Sequence, residues 1–339
     1  MRTLAVIFYL VLIPFSGFSR FTTLYPDIPR IDVHAHVHNN FGGIANYLSM
    51  RELMVSTHKI DLAMWINLGG ESAIDTINEL SGGRIMTCIS DYSPQRGLTY
   101  KPGDMAPSLR KGYVGYKIWH GPYHRRLKEG EEGIKYIDDP AHEPVFAAME
   151  KEGMPGASLH ISDPNGPFGN RGNWAADPVA FWREIIGLER VLHRHPDLIL
   201  VVAHGAWLVC QDAQLDFLRY MLSTYPNFYI DLAATFQYFY LLDHANLRDF
   251  FIEYPDRILY GTDIGSLADK SAIPEIVERY ARTFRILETD QMVEGGFFSM
   301  NPVMGLNLPR EVLEKIYYRN ALKIYPGLES RMRDIELLN

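Results

Sequence analysis

Apolar residues follow two alternating rhythms along the chain. Short runs rich in Val, Ile, Leu, Met and aromatic residues occur at 30–34, 62–68, 84–89, 114–119, 156–160, 198–203, 228–232 and 258–260, separated by longer stretches of helical period. Several runs, such as "LILVVAH" and "RILYGTD", are apolar on both faces, as parallel strands covered by helices should be. "EPVFAAMEKEG", "PVAFWREIIGLERVLHRHP" and "AQLDFLRYMLSTYP" read as amphipathic helices ending in Gly or Pro stop signals, and "LPREVLEKIYYRNALKIYP" reads as a terminal helix. Eight strand–helix units predict an α/β fold, a (β/α)8 TIM barrel, in a single domain over residues 20–339. Two long connections, 90–105 and 161–178, are expected to be lids or loop tips.

Residues 1–19 break the rhythm. Arg2, an apolar run over 4–15 and "SGFSR" with its small residues Gly17 and Ser19 predict a secretory signal peptide cut after Ser19. The run is shorter than the ~20 residues that span a bilayer. The expectation is therefore an exported protein, periplasmic or secreted, with no stable membrane insertion. A hydrophobic fraction of 47% over 339 residues suffices for a large core. Cys88 and Cys210 lie far apart inside apolar segments, which predicts two buried free thiols rather than a disulfide framework. A net charge of −8 without a basic block argues against nucleic acid. The expected partner is a small-molecule substrate, with a homodimer left open.

Groups that carry chemistry gather where the runs end. In "RIDVHAHVHNN", strand alternation puts Asp32, His34 and His36 on one face and Val33 and Ala35 on the other. Residues two apart are separated by about 6.5 Å along a strand, so both imidazoles can reach one ion. His160 ends the fifth run in "ASLHISDP", His204 the sixth in "VVAHGAW", and Asp263 the eighth in "LYGTDIG". In a barrel of this type the C-terminal strand ends open onto one face. Imidazoles with a carboxylate there suit a divalent ion that keeps one position open.

At these residues the chain resembles the amidohydrolase superfamily, and within it the amidohydrolase 2 branch, which includes aminocarboxymuconate-semialdehyde decarboxylase and several lactone hydrolases. The resemblance rests on "DVHAH" in the first strand, "GYKIW" in the fourth, the histidines ending the fifth and sixth, "YGTD" ending the eighth and "IYYRNALKIYP" in the closing helix. His34 follows the predicted cleavage site too closely for the added β-sandwich of other branches. The resemblance implies that His34, His36, His160 and Asp263 ligate one divalent metal, zinc, with manganese as the alternative. It makes His204 the residue that orients water or polarises the substrate, and Asp263 the group that takes a proton and returns it to the leaving group. In binuclear members a fourth-strand lysine carboxylated by carbon dioxide bridges two ions, with the second held by the residues equivalent to His160 and His204. Lys117 could fill that place; the expectation is one metal, with Lys117 a buried or substrate-facing cation. The implied activity is metal-dependent hydrolysis of an ester, lactone or amide bond in a small polar molecule. Non-oxidative decarboxylation of an unsaturated or aromatic acid is the alternative enzyme, and an exported, non-catalytic metal-binding protein the alternative of another class.

Weaker candidates surround this set. His38 is expected in a loop near the mouth, and His120 and His124 in a solvated loop that could line it. Asp231 in "YIDLAA" is balanced between a partner for a ligand histidine and a structural ion pair. Arg171 and Trp174 lie in the connection after His160, where Arg171 could meet an anionic substrate. His193 and His195 are expected to be solvated at a helix end, and "FQYFYLL" to be helix core or mouth lining.

Overall fold

The β-branched and aromatic runs form strands close to where the pattern places them. They are β1 (Arg30–Ala35), β2 (Leu62–Asn67), β3 (Ile85–Thr87), β4 (Ile89–Asp91), β5 (Tyr116–Trp119), β6 (Gly156–His160), β7 (Leu200–Val202), β8 (Phe228–Asp231) and β9 (Ile258–Leu259). The structure, a computed structural model, describes residues 21–37, 41–69, 73–91, 98–120, 136–163, 178–265, 267, 269–295 and 301–338. The predicted signal peptide, His38, His124, Arg171 and Trp174 lie outside the described residues. Among those described, no helix is long and apolar enough to cross a membrane.

All neighbouring pairs in the order β1-β2-β3 and β4-β5-β6-β7-β8-β9 are parallel. β3 and β4 are the two halves of the third predicted strand. The Cys88 N–H bonds back to Asn67 O on one side, and the Ile89 N–H bonds forward to Gly115 O on the other, so the strand changes partner at Cys88. The last strand meets the first through Val33 N–H to Tyr260 O (3.0 Å), Asp263 N–H to His34 O (2.9 Å) and His36 N–H to Ile264 O (3.0 Å). The fold is an α/β TIM barrel of eight staves.

Helices follow the strands: α1 (Phe41–His58), α2 (Ile74–Leu80), α3 (Met105–Lys111), α4 (Glu143–Glu152), α5 (Pro178–Arg194), α6 (Asp212–Thr224), α7 (His244–Glu253) and α8 (Ile273–Glu288). The predicted terminal helix runs from α9 (Arg310–Glu314) through a wider turn, Lys315–Arg319, into α10 (Asn320–Ile324). It is followed by α11 (Leu328–Asp334), which the pattern missed. One apolar layer lies between strands and helices, with Trp65, Tyr116, Leu159, Ile230 and Phe284 among its members. A second joins Val33, Met64, Cys88, Ala157, Val201 and Leu259 from around the barrel to Tyr325 and Leu328 of the closing segment. Both cysteines are free and buried.

The simple alternation expected in β1 does not hold. Its register against β2 shifts between Asp32 and Ala35. Val33 joins the inner apolar cluster and Ala35 the outer one, while Asp32 accepts a bond from Tyr280 of α8 (2.7 Å). An irregularity of this kind re-aims the side chains that follow it. The His34 and His36 rings still meet, with centroids 5.2 Å apart.

Candidate metal centre

The groups at the strand ends converge. Nε2 of His34 and Nε2 of His36 lie 3.3 Å and 2.9 Å from the same Asp263 oxygen, Oδ1. Donor atoms of His34, His204 and Asp263 all fall within 4.8 Å of one another. His204 Nε2 is 3.0 Å from His160 Nδ1. Thus His36, Asp263, His34, His204 and His160 form one contiguous set at the C-terminal ends of β1, β6, β7 and β9.

The nitrogens facing away from this set have oxygen neighbours. His34 Nδ1 donates to Asp231 Oδ2 (2.9 Å), His204 Nδ1 donates to Ala233 O (2.8 Å), and His160 Nε2 faces Asp163 Oδ1 at 3.5 Å. Such partners fix ring orientation and tautomer: with its Nδ1–H given to Ala233 O, His204 Nε2 accepts a hydrogen from His160 Nδ1, one that a bound cation would replace. His34 Nε2 is buried and has no hydrogen-bond partner. Three imidazole nitrogens and a carboxylate oxygen are ligands that zinc accepts, so the residues fit a divalent cation.

The electrostatics point the same way. Burial opposes charge on His34, but Asp231 and then Asp263 outweigh it and lift its pKa to about 9. Burial pushes His36 and His204 down to about 4, and burial together with His204 holds His160 well below the ordinary value. Asp263 is held well below the carboxylate range because the charge of His34 beside it and the bond from His36 outweigh its burial. Two ionised carboxylates therefore draw positive charge onto His34 among histidines that resist protonation, and a cation at His34 Nε2 would take the place of that proton. Lys117, 2% exposed, donates to Ser158 Oγ (3.0 Å); burial lowers its amine to about 8 against the pull of Asp263 and Asp231.

Backbone strain is concentrated here. His204, Gly205, Ala206 and Trp207 follow β7 with φ of 59°, 57°, 53° and 58°, a left-handed turn, and Asp263 has φ 64°. L-residues avoid this region unless their surroundings hold them, and such residues gather at functional sites. Here the His204 N–H donates to Asp231 Oδ1 (3.0 Å), and Trp207 stacks on the His204 ring with centroids 4.4 Å apart.

The profile of the family described as Amidohydrolase matches residues 126–327, more than half of the chain. The chain belongs to the amidohydrolase family. That family is metal-dependent. A comparison with curated proteins found no match. Among solved structures, an uncharacterized TIM-barrel protein from Bordetella bronchiseptica is similar at 16% identity and a TM-score of 0.52, covering 88% of this chain and 98% of that one. 4-Oxalomesaconate hydratase from Rhodopseudomonas palustris is similar at 13% identity and a TM-score of 0.50, covering 91% and 98%. At these identities the two show the fold.

In this family member the remaining candidates separate. Asp231, fully buried, is the partner of His34 and also receives the His204 and Ala233 N–H groups. His120 is not solvated: it is 1% exposed, with its ring edge-on to His142. His193 is exposed as expected, but His195 is buried at the end of α5 and pairs with Glu143 (2.9 Å) and Glu150 (3.0 Å) of α4. "FQYFYLL" divides its side chains: Phe236 and Phe239 enter the core, and Tyr238 packs edge-on against Trp207. Sequence reasoning missed Asp163, Ser158 and Trp207. Only Asp163 left a signal, as an acidic residue three positions after His160.

Proposed function

We propose that the chain is a metal-dependent hydrolase acting on an ester, lactone or amide bond of a small polar molecule, with His34, His36, His160 and Asp263 holding one divalent ion, zinc or manganese. The observation that carries this reading is the convergence of His34 Nε2 and His36 Nε2 on one Asp263 oxygen. When bound, such an ion polarises a carbonyl and lowers the pKa of water towards ~7.

The protein's own groups supply the rest. Asp263 is 34% exposed at its side chain, whereas the His34 and His204 rings are almost fully buried, so the carboxylate is the group that water and substrate reach. Its Oδ atoms take the proton from the attacking water and return it to the leaving group. His204, neutral and held by Ala233 O and Trp207, presents Nε2 as an acceptor that orients the attacking water. In this reading Lys117 stays uncarboxylated and serves as a buried cation; two ions bridged by a carboxylated Lys117 is the arrangement to be tested against it. Export after cleavage at Ser19 belongs to the same proposal, and the mass of the mature chain tests it.

Asp263→Asn should retain substantial zinc and lose turnover. The check is metal content per chain, mass analysis of Lys117, and a screen of lactones, esters, amides and carboxylic acids. The family includes hydratases and decarboxylases, so carbon dioxide release without a hydrolysed product would replace hydrolysis by decarboxylation. Absence of turnover across the screen by the metal-loaded protein would favour the non-catalytic alternative.

A further inference from the structure

We infer that Trp207 is a positioning residue that braces the two histidine-bearing strand ends, β6 and β7, against each other. The inference rests on the metal-centre reading above and assigns a role to a residue outside every ligand set considered there. Trp207 is buried at the end of the left-handed turn. Its ring lies nearly parallel to His204, with centroids 4.4 Å apart at 21°, and edge-on to His160 at 6.3 Å and 65°. Its Nε1–H donates to Ser162 O (2.7 Å), two residues beyond His160. Tyr238 closes on the indole edge-on at 6.0 Å.

One side chain therefore touches both rings whose inward nitrogens, His204 Nε2 and His160 Nδ1, are 3.0 Å apart. β6 and β7 are paired through backbone bonds only as far as the Leu159–Val202 register. Beyond that point the strands have ended, and the indole with its bond to Ser162 O spans the gap. Residues 204–207 need such a brace because three of the four, His204, Ala206 and Trp207, are L-residues at positive φ, a conformation that does not hold itself. Removing the indole releases the His204 ring and frees the segment carrying His160.

The test uses the full chain with zinc as the probe, comparing wild type, Trp207→Phe and Trp207→Leu. Zinc affinity is measured by competition with a chromophoric chelator, at a temperature where circular dichroism shows each protein folded. Trp207→Leu should bind zinc about 10–100-fold more weakly, the usual cost of removing an outer partner of a metal site. Trp207→Phe keeps a ring against His204 but loses the bond to Ser162 O; its affinity should fall roughly 3-fold or more.

Unchanged zinc affinity in either folded variant overturns the inference, even if its melting temperature falls, because that is what a merely structural residue would do. If Trp207→Leu does not fold, Trp207→Phe decides. A wild-type chain that binds no zinc overturns the metal-centre reading and this inference together, so the two failures are distinguishable.

Discussion

Single residues in the site act through hydrogen bonds that set which atom faces inward. Asp231 serves His34 Nδ1, the His204 N–H and the Ala233 N–H with its two oxygens. Asp231→Asn removes the charge that favours a cation beside His34, and zinc affinity should fall roughly 10–100-fold, measured by chelator competition. Gly205 sits in the left-handed turn at φ 57°, where an added Cβ would lie 2.8 Å from Val209 Cγ2. Gly205→Ala should cost about 1–3 kcal/mol, from the conformational penalty and the crowding of Val209, read as a lower denaturant midpoint. The residue types of the site were legible in the sequence because His34, His36, His160, His204 and Asp263 all fall at the ends of apolar runs. The role of Asp231 was not, since an aspartate reads the same whether it meets a histidine or an arginine.

Elements are placed by anchors that period alone does not show. α5 follows its amphipathic pattern, but its position comes from Asp138, which accepts from Arg183 and Arg190 (2.8 Å each) and offers its carbonyl to Arg194. Burial acts to raise the Asp138 carboxyl, yet the bonds from Arg183 and Arg190 outweigh it and hold its pKa below the ordinary 3.8. As pH falls, the unfolded chain takes up this proton before the folded one does. The stabilisation is therefore present above about pH 3.8 and is lost as pH falls through the folded-state value. Asp138→Asn should cost about 1–2 kcal/mol at neutral pH, discounted because Arg183 and Arg190 are 34% and 60% exposed, and should flatten the acid limb of a stability-versus-pH curve. The shift in β1 belongs to this scale too. Alternation predicts one face for Asp32, His34 and His36, but pairing with β2 on one side and contact with α8 on the other turn Asp32 outward.

At the scale of the molecule, closure matters most. Arg30 at the start of β1 and Glu288 at the end of α8 form a fully buried pair (3.0 Å), with Thr23 bonded to both and the Tyr317 hydroxyl donating to Glu288. Phe284 and Tyr317 flank the guanidinium with ring centroids 5.2 Å and 5.1 Å away. This cluster joins the first strand, the last barrel helix and the closing segment. Arg30→Met should destabilise the protein by about 3–5 kcal/mol, because it leaves the Glu288 charge buried without its partner. Arg30→Met combined with Glu288→Leu should cost less than the single change, and denaturant unfolding of both variants checks the order.

The sequence by itself determined the barrel class, the positions of its strands and the chemical identity of the five groups at their ends. Those properties follow from local periodicity and residue type, and both survive in a one-dimensional reading. Only the tertiary structure decided that Asp231 orients His34, that Asp163 faces His160, that His204 rides a left-handed turn against Trp207, and that His120 and His195 are buried. Most of these depend on which elements become neighbours when the barrel closes, and residues 197 positions apart, as His34 and Asp231 are, become hydrogen-bond neighbours only then.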